Sequence, residues 1–393
     1  MPDSEPTPGS DWAVELRRSH LIYGVGALSR LGELAGELGG GPVLLVTDHG
    51  LRAAGWVDEA ASSLRDAGHT VTVFDDVHEN PTESDVARGA QACRESDARL
   101  IVGLGGGSAM DCAKGINFIA TQGGRMEDYW GFGKADKPML PSIGVPCTAG
   151  TGSEAQSFAL ISRDEDHVKM ACGDEKARFS RVLLDPQTVA TAPQEVLAAT
   201  ALDAVSHAVE SMVSTKSNPL SRVYSREAYR LLDRRFDEVA ATGAEPSVEA
   251  LGDMLVGAHL AGAAIEMSML GAAHACANPL TAEFDVTHGA AVGLVLPSVV
   301  RYNAVASESE YAELTSVTPG GAGEALAVRL ESMRREAGLP QSLEEVGVKA
   351  EQIEELAAAA APQWTAEHNP RKVAAAELAG LYRSCLGAAA ASG

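Results

Sequence analysis

Four side chains able to ligate a metal lie in the second half of the sequence. Asp203 and His207 stand four apart in ALDAVSHAVE, within a helical pattern, so both project from one helix face. His274 follows in GAAHACANPL and His288 in DVTHGAAVGLVLP. One carboxylate and three imidazoles could hold a divalent cation and leave a position open for substrate. Each residue also has a plainer role open to it. A histidine in an apolar segment is often a satisfied core residue, and Asp203–His207 reads equally as an i, i+4 pair. Gly289 beside His288 and Pro279 after Asn278 read as irregular joints, where ligands often sit.

A second set of residues suits a nucleotide. Gly105, Gly106, Gly107 and Ser108 follow an apolar run and open a helical pattern. Glycines let backbone N–H groups approach a phosphate, and the helix N-terminus adds partial positive charge. The spacing is not G-x-G-x-x-G, and a tight turn without a ligand is the alternative. Thr148 to Glu154 (TAGTGSE) form a similar loop, either beneath a sugar or phosphate or as a plain connection. Asp48 ends the first strand-like run. It would either accept from both ribose hydroxyls, favouring NAD over NADP, or cap the helix from about 51.

These residues must be positioned by two kinds of element. Apolar runs at 41–48, 71–76, 99–108 and 141–150 alternate with helical stretches such as 52–67 and 83–96. That alternation predicts a parallel α/β sheet. After about 190 strand-like runs nearly vanish. Helical patterns occupy 194–214, 219–240, 247–270, 289–304, 322–337, 349–361 and 373–388. The expected organisation is an α/β domain over 1–190 and an all-helical domain over 191–393, divided where prolines interrupt both patterns.

Acidic residues exceed basic ones by 54 to 31, a net charge of −23 that repels nucleic acid and anionic membranes. The acidic, proline-bearing segment 1–10 reads as a tail and lacks the features of a signal peptide. No uninterrupted apolar run is long enough for a membrane span, and the Ala/Gly-rich run 256–265 contains His259. The six cysteines form no C-x-x-C pair and read as scattered buried thiols, and the Ala-rich stretches 357–361 and 388–391 as helix surface and a frayed end. A cytoplasmic homodimer or higher homo-oligomer is expected.

Taken together, GGGSAMDCAKG (105–115), PCTAGTGSEA (146–155), LDP (184–186), DAVSHAVES (203–211), HACANPL (274–280), HGAAVGLVLP (288–297) and NPR (369–371) resemble the iron-containing (group III) alcohol dehydrogenase family. The resemblance runs from about Tyr23 to about Arg371. It implies a Rossmann-like N-terminal domain, an all-helical C-terminal domain and an active site in the cleft between them. It implies pyrophosphate on Gly106, Gly107 and Ser108, with Asp111 among the cofactor-binding residues. Thr148, Thr151 and Lys169 are implied near the nicotinamide, and Asp203, His207, His274 and His288 as ligands of Fe²⁺, with Zn²⁺ or another divalent ion as alternatives. The implied reaction moves a hydride between a small alcohol or aldehyde and NAD.

Asn278 departs from the family pattern. Many members carry a histidine there, four residues after the third ligand, and Asn cannot act as an acid or base near neutrality. Asn278 and His288 are the candidate catalytic residues. The scaffold also resembles glycerol dehydrogenases, maleylacetate reductases and hydroxyacid–oxoacid transhydrogenases, but the four-ligand pattern favours the alcohol dehydrogenase branch. A non-catalytic assembly subunit would be expected to lack ligands.

Overall fold

The computed structural model describes residues 19–165 and 168–387, so the tail at 1–10 and the Ala-rich end at 388–391 lie outside the described residues. The first half runs β1 (His20–Tyr23), α1 (Leu31–Glu37), β2 (Val43–Val46), α2 (His49–Ala53), α3 (Trp56–Asp66), β3 (Val71–Phe74) and α4 (Glu83–Glu95). It continues with β4 (Leu100–Gly105), α5 (Gly107–Gln122), β5 (Gly131–Phe132), β6 (Ser142–Pro146), β7 (Phe158–Ser162), β8 (Lys169–Gly173), β9 (Arg181–Leu184) and α6 (Pro186–Val189).

Strands β2, β4 and β6 are buried at every residue. A strand covered on both faces needs no alternation, which is why these segments read as continuous apolar runs. Six strands pair in the order β1-β9-β6-β4-β2-β3, all parallel. Leu31, Leu34, Val57 and Leu64 of α1 and α3 pack with Leu45, Val102 and Ile143 on one face. Val86, Met110 and Ile116 of α4 and α5 cover the other, in a cluster that continues into the helical half. From β2 the chain moves outward to β3, then returns past β2 to β4 and proceeds to β6 and β9. The carboxyl ends of β2 and β4 therefore flank a switch point, where such sheets leave a crevice.

Not anticipated from the sequence is a small second sheet of order β5-β8-β7, in which β7 and β8 are antiparallel from Phe158↔Gly173 to Ser162↔Lys169. The stretch read as one helix over 52–67 is two, α2 and α3, parted at Gly55 with φ 90°.

The second half is helical: α7 (Gln194–Val213), α8 (Pro219–Ala240), α9 (Val248–Ser268), α10 (Ala272–Phe284), α11 (His288–Thr315), α12 (Ala322–Glu336), α13 (Ile353–Ala360) and α14 (Ala375–Ser384). Two of these correct the sequence reading. Residues 272–284 form a helix rather than a joint, with Pro279 inside it. α11 runs past 304 to Thr315, with a break in helical geometry at Ser307. A proline removes an N–H and leaves a carbonyl one turn earlier unpaired. In α11, Arg334 supplies the missing donor for Pro297 by bonding Gly293 O at 3.2 Å and Leu294 O at 3.0 Å. In α10, Tyr382 Oη donates to Cys276 O at 2.6 Å, one residue past the Ala275 carbonyl that Pro279 frees, and ties the helix to α14.

Although no uninterrupted apolar run is long enough for a span, α7, α9 and α11 are long and apolar enough to cross a membrane by length and composition. In the fold these helices are core elements, and 89% of the apolar window in α7 is buried. All six cysteines are free and buried.

Candidate metal and nucleotide site

Helix α7 presents Asp203, His207 and Glu210 on one face, at i, i+4 and i+7. α10 brings His274 in its first turn, and α11 opens with His288. The Nε2 atoms of His207, His274 and His288 lie 3.5, 3.6 and 3.8 Å from Asp203 Oδ1. Ligand atoms of Asp203, His207 and His274 all lie within 4.8 Å of one another, and all three residues are buried. The His288 side chain is 31% exposed, so the cluster opens on that side.

Asp203 Oδ1 and His274 Nε2 are buried with no hydrogen-bond partner among the described residues. Orphaned buried polar atoms are costly, and these point at one another's neighbourhood. The donor set fits a divalent cation with N and O ligands. On the far side of His274, Nδ1–H donates to Glu210 Oε2 at 2.6 Å, while Glu210 Oε1 accepts from Ala273 N at 2.7 Å. Glu210 thereby fixes the ring and aims the Nε2 lone pair inward.

Electrostatics follow from this packing. Burial alone would raise Asp203, but the close approach of His207, His274 and His288 outweighs it and holds the carboxyl well below its usual range. Burial lowers His207 and His288. Burial would lower His274 too, yet the neighbouring carboxylates of Asp203 and Glu210, the latter hydrogen-bonded to the ring, prevail and raise it to about 9.

The nucleotide candidates follow three neighbouring parallel strands: Asp48 after β2, Gly105–Ser108 at the end of β4, and Thr148–Thr151 after β6. Gly106 stands at the N-cap of α5 without a side-chain cap, so no capping side chain occupies the first-turn N–H groups. A Cβ on Gly107 would stand 2.7 Å from Thr151 Cγ2, so only glycine lets the second loop close over the first. Gly105 has φ +154°, and a Cβ there would meet Ala109 Cβ at 2.6 Å and stand 3.3 Å from Asp48 Oδ2. Asp48 thus lies beside the glycine turn. Its Oδ1 also caps α2 by accepting from Leu51 N at 3.0 Å, so the capping role is present.

Ser108 Oγ accepts from Asn80 N at 3.2 Å. Asp111 turns into the protein, where it accepts from Ser153 Oγ at 2.5 Å. Lys114, 1% exposed, donates to Ser153 O, Ser153 Oγ and Phe158 O at 2.8, 2.7 and 2.6 Å. Burial lowers Lys114 and raises Asp111. These groups tie the second loop to α5.

Lys169, the first residue of β8, lies within electrostatic reach of Asp111 and of Asp203, and desolvation lowers it. Asn278 sits one turn beyond His274 and donates through Nδ2 to Gln363 Oε1 at 2.9 Å. His259 of α9 is apart from the metal donors; its Nδ1 pairs with Glu154 Oε1 at 3.0 Å and so holds the second loop from the helical side.

Glu210, Lys114 and Gln363 were not singled out in the sequence. Glu210 had a signal, as the third member of the i, i+4, i+7 series. Gln363 had none, because its partner is 85 residues away.

Residues 19–186 match the iron-containing alcohol dehydrogenase family, and residues 197–386 match the C-terminal domain of the Fe-containing alcohol dehydrogenase family. The chain is 34% identical over 372 residues to a 1,3-propanediol dehydrogenase of Klebsiella pneumoniae, covering 92% of this chain and 96% of the relative. It is 30% identical over 373 residues to an NAD-dependent methanol dehydrogenase of Bacillus methanolicus, covering 93% and 97%. A crystal structure of 1,3-propanediol oxidoreductase superposes with a TM-score of 0.89 at 34% identity, covering 93% of this chain and 98% of that one. With both halves matched in order around a shared donor cluster, the chain belongs to the iron-containing alcohol dehydrogenase family.

Proposed function

We propose that this protein is an NAD-linked alcohol dehydrogenase that interconverts a small alcohol and its aldehyde. The observation that carries this reading is the convergence of three imidazole Nε2 atoms on Asp203 Oδ1 in a buried cluster open at His288. Asp203, His207, His274 and His288 would hold the divalent cation, with Fe²⁺ the family's metal. A cation there supplies a Lewis acid for the substrate oxygen, and NAD supplies the hydride acceptor.

The chain's own residues then have separable tasks. Glu210 keeps His274 in the tautomer that binds a cation. The first-turn N–H groups of α5 and the glycine turn receive the pyrophosphate. Thr148 and Thr151 close over that turn, and Lys114 and Asp111 hold their loop in place. Lys169 lends positive charge to the cleft between the two walls. Asn278, neutral and paired with Gln363, orients a substrate oxygen without exchanging a proton.

The propanediol and methanol dehydrogenases named above support a short-chain alcohol, and the second supports NAD. The net charge of −23 supports a protein that avoids nucleic acid and anionic lipid. We place it in the cytoplasm as a homo-oligomer on the same reading. The test is a panel of short alcohols and aldehydes followed by NADH absorbance, with Fe²⁺ or Zn²⁺ supplied. Turnover of at least one pair is expected; no turnover of any by metal-replete protein would refute the proposal.

A further inference from the structure

The carboxyl ends of β2 and β3 lie side by side, with Thr47 N donating to Phe74 O at 2.9 Å. The register Val46↔Phe74 sets Thr47 level with Asp75, so Asp48 leaves β2 one residue beyond the level at which Asp75 leaves β3. Two basic side chains reach this corner from α2, the helix that Asp48 caps. Arg52 Nε lies 2.5 Å from Asp75 Oδ2, and His49 Nδ1 lies 3.6 Å from the same oxygen. One residue further, Asp76 takes Arg88 Nε at 2.8 Å. Each guidanidinium at this rim is thus held by a carboxylate of the β3 exit.

A nucleotide seated in the switch-point crevice, with its pyrophosphate on the glycine turn, brings its adenosine ribose toward Asp48. A 2′-phosphate on that ribose carries close to two negative charges and needs a free cation to receive it. Arg52 is a guanidinium on the helix directly after Asp48, and it is 45% exposed, so reach is not what disables it. Its partner is. Asp75 neutralises Arg52 and holds its Nε at 2.5 Å.

Resting on the proposed NAD site, we infer that Asp75 is a specificity-determining residue for the nucleotide. It enforces rejection of the 2′-phosphate by sequestering Arg52, independently of direct repulsion by Asp48. Removing its charge turns Arg52 into a phosphate ligand, since guanidinium pairs strongly with phosphate oxygens.

The test uses binding by calorimetry to the full-length protein, with adenosine 5′-monophosphate and adenosine 2′,5′-bisphosphate as probes. Neither carries a nicotinamide, so the readout is independent of turnover. In the wild type the monophosphate binds and the bisphosphate binds more weakly. In Asp75→Asn the ratio of the two dissociation constants shifts about tenfold toward the bisphosphate, the scale of one charge-assisted contact. In Asp75→Asn with Arg52→Gln the shift disappears. An unchanged ratio in Asp75→Asn overturns the inference, as does a shift that survives loss of Arg52, because Asp75 would then act by its own charge alone. If the wild type binds neither the monophosphate nor NAD, the nucleotide site itself is wrong and the inference falls with it.

Discussion

Glu210 contributes to metal affinity without touching the metal position. Its carboxylate accepts from His274 Nδ1 at 2.6 Å and so decides which nitrogen keeps the lone pair. Glu210→Gln should weaken cation retention by about 10–100-fold, the usual effect of losing such a support. Competition against a chelator measures this, and unchanged retention would remove Glu210 from the site. Asn278 invites the opposite experiment. The pair it forms with Gln363 is neutral, so the wild-type kcat profile should lack an ionisation from this position. Asn278→His, restoring the residue common in the family, should add one near pH ~6.5. A profile identical in wild type and variant would put position 278 outside the proton path. At this scale the sequence was informative where chemistry and spacing coincide. Asp203 and His207 share a helix face by arithmetic. That His274 and His288 converge on the same oxygen depends on how α10 and α11 pack on α7, which spacing does not encode.

Helices α10 and α11 each carry an internal proline, and in α11 the freed Gly293 carbonyl is met by Arg334 from another helix. The internal proline is why α10 was misread as a joint. Pro279 and Gly271 signal a break locally, while Tyr382, 106 residues from Cys276, bonds the Cys276 carbonyl and ties α10 to α14, a tertiary contact with no local signal. The small sheet escaped notice for a related reason: β5 has only 2 residues, and β7 and β8 are short strands among loop residues. By contrast the buried parallel strands were legible, because full burial leaves an unbroken apolar run. Arg334 tests the rescue. It is buried, and Arg334→Leu leaves Gly293 O and Leu294 O without its donors. The expected loss is about 2 kcal/mol of stability, read as a lower urea midpoint with kcat little changed. A midpoint equal to wild type would mean that these carbonyls need no partner.

Across the whole molecule, the loop from Thr148 to Glu154 joins the two halves. Lys114 and Asp111 hold it from the α/β half, and His259 holds it from α9. A Cβ on Gly152 would stand 2.6 Å from Gly262 Cα, so the loop lies directly against the helical half. The glycine turn and the donor cluster are thereby tied to the two sides of one loop. Three of the four donors are buried, so a bound cation also stabilises the fold by mass action, and chelation should lower Tm. The change from a sheet-bearing first half to a mostly helical second half was visible as a change of pattern, but the packing of the two halves on the Thr148–Glu154 loop was not. The most direct test of the account is the metal content of purified protein, measured for wild type and for His274→Ala. About one divalent cation per chain is predicted for the wild type, with most of it lost in the variant together with alcohol oxidation. A variant that keeps wild-type metal content and wild-type rate would contradict the assignment of this cluster.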